Sequence, residues 1–169
     1  MTWIVTNNRL GVQPIELTST TQACDEGTIV SAYDSAGTYG GGEFIYLKGV
    51  DSTVVGSLVQ YDPVMHTTTL TPNTANLDAP VAVAMSANVS SHWGWYQIQG
   101  AAVIKKTATK VAPNVPVYQS ATTGRVMATA ASGKQLMNAR SINAAATVAS
   151  ATSTVTVIID RPFLMGAVV

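Results

Sequence analysis

The stretch from Thr38 to Val50 reads TYGGGEFIYLKGV. Three consecutive glycines, Gly40, Gly41 and Gly42, run straight into an apolar segment. Glycine-rich loops can cradle phosphate, but that chemistry needs GxxxxGK and then Ser or Thr, set between a strand and a helix. The amides and the lysine then hold the anion together. Here Glu43 follows the glycines and a β-type run follows Glu43. A carboxylate at that place repels phosphate. Glycine also permits φ > 0 and close backbone approach. The stretch therefore reads as a bend, either within one β-fold or against a neighbouring chain.

Other groups that could do chemistry are sparse. His66 and His92 are the two histidines, and Ser90-Ser91-His92 sets hydroxyls beside an imidazole. A nucleophile and its base must meet in space with a third group to orient them. Adjacent strand residues point to opposite faces, and no GxSxG turn is present. His92 reads as a surface loop residue. Asp25-Glu26 is the one acidic pair. Paired glycosidase carboxylates can come from anywhere in a chain, so a hydrolase with scattered carboxylates remains a third-ranked hypothesis. No calcium-loop spacing appears. Cys24 is the sole cysteine, which rules out an intrachain disulfide and leaves no zinc-ligand spacing. No cofactor or metal is expected. Asn88-Val89-Ser90 is a three-residue match to a glycosylation sequon. Trp93, Trp95 and Tyr96 form the densest aromatic group. They read as a core or subunit-contact cluster, and in second place as a sugar- or protein-binding face.

Composition narrows the classes further. The chain has 169 residues, 47% of them apolar and 11% charged. An ordinary soluble domain carries about 25% charge. Its polarity comes from Thr, Ser, Asn and Gln instead, and so weakly charged a surface suggests oligomerisation or attachment to something larger. Nine basic and nine acidic residues cancel, whereas nucleic-acid binding needs cations against phosphate. The cluster Lys105-Lys106 with Lys110 reads as a solvated strand end. No signal-peptide pattern opens the chain, and no apolar run approaches the roughly 20 residues of a membrane span. The expected partners include neither nucleic acid, nor membrane, nor a small-molecule substrate.

The elements that must position these residues read as β throughout. Residues 1–27 form an extended N-terminal arm or irregular segment, with Trp3-Ile4-Val5 and Leu10 as its apolar contacts. Residues 28–169 form the β-rich domain. Strands are expected over 28–33, 44–47, 54–61, 67–71, 81–85 and 93–100. Further strands are expected over 115–118, 123–127 and 135–142, and over 153–160, which Pro162 ends. Short β-branched and aromatic runs bounded by Gly and Pro predict an all-β fold, a small antiparallel β-barrel or β-sandwich.

Four segments together carry a resemblance. They are Ala79 to Met85, Trp95 to Val103, the pair Val115 to Tyr118 with Thr123 to Val126, and Val157 to Phe163. Over residues 39–163 the chain resembles the capsid decoration (cement) proteins of tailed bacteriophages. The resemblance implies a small β-barrel or sandwich, often a homotrimer, on the outer capsid surface of a virion assembled in the host cytoplasm. Its partner would be the major capsid protein, whose neighbouring subunits it would clamp, and no catalytic residues carry over. The expected interface residues are Trp3, Ile4, Val5, Leu10, Gly40, Gly41, Gly42, Trp93, Trp95 and Tyr96. The alternative is a tail, fibre or host-glycan-binding module that uses Trp93, Trp95 and Tyr96.

Overall fold

One long strand organises the chain. In this computed structural model, which describes residues 2–6, 12–143, 149 and 153–167, β8 (Trp93–Lys105) spans 13 residues. Its first half pairs with β4 (Gly41–Lys48) and its second half with β12 (Thr154–Leu164). The outer strands are β1 (Trp3–Val5), β3 (Ile29–Asp34), β9 (Pro116–Gln119), β10 (Val126–Met127) and β11 (Gln135–Ser141). The main path through the sheet runs β1-β3-β4-β8-β12-β11-β9-β10. Four more strands, β2 (Thr18–Ser19), β5 (Leu58–Tyr61), β6 (Thr68–Leu70) and β7 (Val81–Ala84), branch from it through β8. All ladders are antiparallel, the sheet does not close, and the described residues include no helix. The expected all-β class is what the structure has.

The sheet folds over itself because β8 changes role along its length. Residues 94–98 are buried on both faces, whereas 99–105 alternate between buried and half-buried. Trp95 packs into a cluster with Trp3, Ile15, Phe44 and Tyr46. Tyr96 and Ile98, on the other face, pack with Ile45, Leu47, Val59 and Ala84. Ala102 and Ile104 belong to a third cluster with Val117, Leu136, Val157 and Ile159. One strand thus contributes to three cores.

The switch sits at a bulge. Glu43 pairs with Gln99 but Phe44 pairs with Gln97, leaving Ile98 as the extra residue. A bulge bends and twists its strand. Just past it, Gly42 and Gly100 face each other. A Cβ on Gly42 would lie 2.7 Å from the Gln99 carbonyl oxygen, and one on Gly100 2.5 Å from that of Gly41. Gly100 also has φ = 103°, which side chains resist. The buried Gln97 amide donates to the Gln99 and Ala101 carbonyls and so bridges the bend.

The turn from β3 into β4 is capped by Asp34, whose carboxylate accepts the N–H groups of Ala36, Thr38 and Tyr39. Burial alone would raise its pKa, but these three bonds outweigh it and hold the carboxyl below its ordinary 3.8. Asp62 is held low as well, by the N–H groups of Met65 and Val64.

Several elements differ from expectation. Pro162 does not end the last strand but lies inside β12. The register jumps from Ala139↔Ile159 to Met137↔Phe163, with Asn138 and Arg161 in left-handed conformations. That irregularity removes the ladder bond a proline could not donate. Residues 54–57 form a turn, with Gly56 at φ = 82°, and the strand starts only at Leu58. Trp3–Val5, expected in an arm or irregular segment, pairs with β3 as β1, while residues 12–27 are irregular apart from β2 and bury Ile15 fully. Lys106 is not a solvated strand end. It is 1% exposed, and its ammonium donates to the carbonyls of Thr107, Thr109 and Ala149. Burial pushes its pKa down.

Two outcomes are expected. Gly100→Ala should lower stability by about 2 kcal/mol or more in urea unfolding, because it combines a strained φ with a backbone clash. The pH dependence follows from the depressed carboxylates. Their folded-state pKa values lie below the unfolded ones, so their contribution is complete above the unfolded value. It is lost as pH falls through the folded value. The melting temperature should be flat from neutral pH to about pH 5 and fall below about pH 4, less steeply in Asp34→Asn.

Candidate functional site

The expected interface residues separate into two groups. Leu10 lies outside the described residues. Trp95 and Tyr96 are fully buried and Trp3 nearly so, so none of the three can meet a partner in this fold. The sandwiching of β8 between two cores is the reason. Trp95 stacks obliquely on Tyr46 at 5.0 Å, and Trp3 sets its edge against Phe44 at 4.9 Å. The Trp95 indole donates to the Gln13 carbonyl at 2.8 Å. The Tyr46 hydroxyl accepts the Ala23 N–H at 3.0 Å, and the Gln13 amide donates to the Trp93 carbonyl at 3.2 Å. These bonds strap residues 12–24 across β4 and β8. The aromatic cluster is a clamp for the chain's own first segment.

Trp93 is half-buried at the margin of that clamp. Its indole donates to Glu26 Oε1 at 2.8 Å, and the Lys48 ammonium lies 5.4 Å from its ring centre. A glycan platform would keep Trp93 alone of the three rings named for it.

The three glycines differ in their surroundings. Gly40 turns at φ = 71° with open space around its missing Cβ, while Gly42 sits against β8. The choice between an internal bend and a neighbouring chain falls to the former for Gly42, which is buried here; Gly40 and Gly41 remain exposed.

Asn88 is fully buried. Its amide donates to the Tyr96 hydroxyl at 2.9 Å and to the Leu47 carbonyl at 3.3 Å. Burial raises the Tyr96 phenol pKa, and the Asn88 bond offsets only part of that. A sequon asparagine in this position is closed to glycosylation in the folded protein.

What remains exposed is an apolar face on the first two strands of the path. Ile4 pairs with Tyr33 across the β1–β3 ladder, and Ile29 lies on the same side of β3 as Tyr33. Ile4 is 43%, Tyr33 45% and Ile29 37% exposed. The edge is pinned. The Thr6 N–H donates to the Ser31 carbonyl and the Ser35 N–H to that of Thr2. On the outward side, the Trp3 N–H donates to Glu16 Oε1 at 2.6 Å. Sequence reasoning named Ile4 but missed Ile29 and Tyr33. The alternation at 29, 31 and 33 was visible, but not which side faced water.

One concavity does hold two carboxylates. Asp62 and Asp78 line it with Gln60, Tyr61, Thr67 and Thr69. Asp62 Oδ1 is committed to the turn bonds, and its low pKa suits an acceptor rather than a general acid. Among the described residues, no group of three His, Cys, Asp or Glu could hold a metal ion, and no helix is long and apolar enough to cross a membrane.

Trp95→Ala should cost about 4 kcal/mol and detach the 12–24 segment, read as loss of amide protection there. Trp93→Ala should cost about 1 kcal/mol, because its ring is half in water and its Lys48 contact is exposed. No protein-family model and no curated protein matches the chain.

Proposed function

We propose that this chain is a non-catalytic structural virion protein. It binds the outer surface of a tailed-phage head and cements neighbouring major capsid subunits. The observation that carries the reading is the Ile4–Ile29–Tyr33 face, an apolar patch on a pinned and hydrogen-bonded sheet edge. In a chain with 11% charged residues, such a face is best covered by another protein. The resemblance of residues 39–163 to capsid decoration proteins supplies the partner. A rigid β-body that binds only an assembled lattice stabilises that lattice by mass action. Its own face need not be large, because many copies act on one shell.

The test is co-sedimentation with expanded shells of the cognate capsid protein. Wild-type protein should pellet with the shells and raise their resistance to heat. The double variant Ile4→Asp, Tyr33→Asp should bind at least tenfold more weakly, since each side chain contributes about 1 to 2 kcal/mol on partial burial. Unchanged binding by a folded double variant would reject this face. Failure of the wild type to bind any expanded shell would reject the capsid reading itself.

A further inference from the structure

The β5–β6 hairpin ends in two unlike surfaces that complement each other. At one end, residues 62–67 form a tightly built tip. Asp62 Oδ1 accepts the N–H groups of Val64 at 2.7 Å and Met65 at 2.6 Å. The Asp62 N–H donates to the Thr67 carbonyl, and the His66 N–H donates back to the Asp62 carbonyl, both at 3.0 Å. The His66 ring packs so closely on Gly27 that a Cβ there would collide with it. Just behind the tip, the Thr68 hydroxyl donates to the Lys48 carbonyl. All this order presents Val64 and Met65 to solvent at 79% and 70% exposure, the highest of any large hydrophobics among the described residues. Asp62 lies in the tip itself, and it lines the adjoining concavity together with Asp78; no lysine or arginine lines that concavity. Arg161, the nearby cation that influences Tyr61, is paired with Glu43.

The other end of the hairpin opens on a second concavity, of about 560 Å³. Val54 and Leu70 give it apolar walls, Thr122 and Thr123 supply hydroxyls, and Lys105 and Arg125 supply positive charge. No carboxylate lines it. Asp51, next to its rim residue Ser52, accepts the Ser90 N–H instead. The hairpin is fastened here too: the Leu58 N–H donates to the Gly124 carbonyl, and the Gly124 N–H to that of Thr71. Leu58–Tyr61 is a four-residue strand with Ser57 of the concavity before it and Asp62 of the tip after it. The two surfaces are therefore held at opposite ends of about 13 Å of rigid β-structure.

An apolar, acidic tip and an apolar, basic concavity at opposite ends of one element fit a contact between copies. We propose that the chain self-associates head to tail, the β5–β6 tip of one copy seated in the Lys105–Arg125 concavity of the next. Such a contact is heterologous. It uses different surfaces on the two partners, so it forms a ring if the rotation closes and a filament if it does not. The contact goes beyond the capsid reading and needs no shell, so either can fail without the other.

Two variants separate the surfaces. Val64→Asp with Met65→Asp disables the tip and leaves the concavity. Lys105→Glu with Arg125→Glu disables the concavity and leaves the tip. Sedimentation velocity should show wild-type oligomers that weaken as salt rises. Each variant alone should be a monomer with the wild-type near-ultraviolet circular dichroism spectrum. An equimolar mixture should give a dimer and nothing larger, because one good tip and one good concavity remain. A wild type that stays monomeric up to millimolar concentration overturns the proposal. So does either variant assembling like the wild type, or a mixture that contains only monomers. If a double variant fails to fold, the single variant Met65→Ala or Arg125→Ala takes its place, expected to weaken association at least tenfold; association as tight as the wild type's in either overturns the proposal.

Discussion

The close approach of β4 and β8 at Gly42 and Gly100 is the constraint on which the rest of the structure depends. There the two backbones come near enough for β8 to pass from one sheet environment into another while staying paired. A side chain at either position would push the strands apart by roughly its own thickness. The bulge at Ile98 would then lose the Gln97 bridge that stabilises it. Because β8 serves all three hydrophobic clusters, a fault at this point would be felt in each of them. In a protein with few charges, this kind of connectivity replaces the electrostatic organisation that other domains use at their surfaces.

Buried polar groups hold the irregular parts. Gln13 ties down the first segment, Asn88 the turn after β7, Gln97 the bulge, and Lys106 the stretch beyond β8. In each case a buried side chain donates to backbone carbonyls. A buried carbonyl left unpaired costs about 1 to 3 kcal/mol, so each contact also fixes where a loop can run. By contrast, the exposed ion pair of Arg161 with Glu43 contributes little, because solvent screens it.

The strands were legible where the chain is locally consistent. Residues 154–159 alternate and are β-branched, 44–47 lie between glycines, and 81–84 are short and fully buried; all three form strands. Pro162 misled because a proline's usual effect can be absorbed by an irregular register, which depends on the partner strand. Lys106 misled because burial is a tertiary fact: no local pattern tells a solvated lysine from one whose ammonium reaches three carbonyls. The candidate site was the least legible part. Trp95 and Tyr96 stand out as aromatics, but their burial follows from β8 lying between two cores. Val64 and Met65 carry no local signal of exposure, and only the completed hairpin shows them standing in water.

The Glu16 carboxylate that takes the Trp3 N–H has a consequence for behaviour at high density. A free sheet edge is a template on which further strands can add without limit. Here the outward N–H of Trp3 is already occupied by a charged acceptor. Backbone pairing between copies at this edge would have to displace a charge-assisted bond first. Contacts to β1 are thereby steered toward side chains, which are selective, and away from main chain, which is not. Copies brought close together can then touch at this edge without fusing into a continuous sheet.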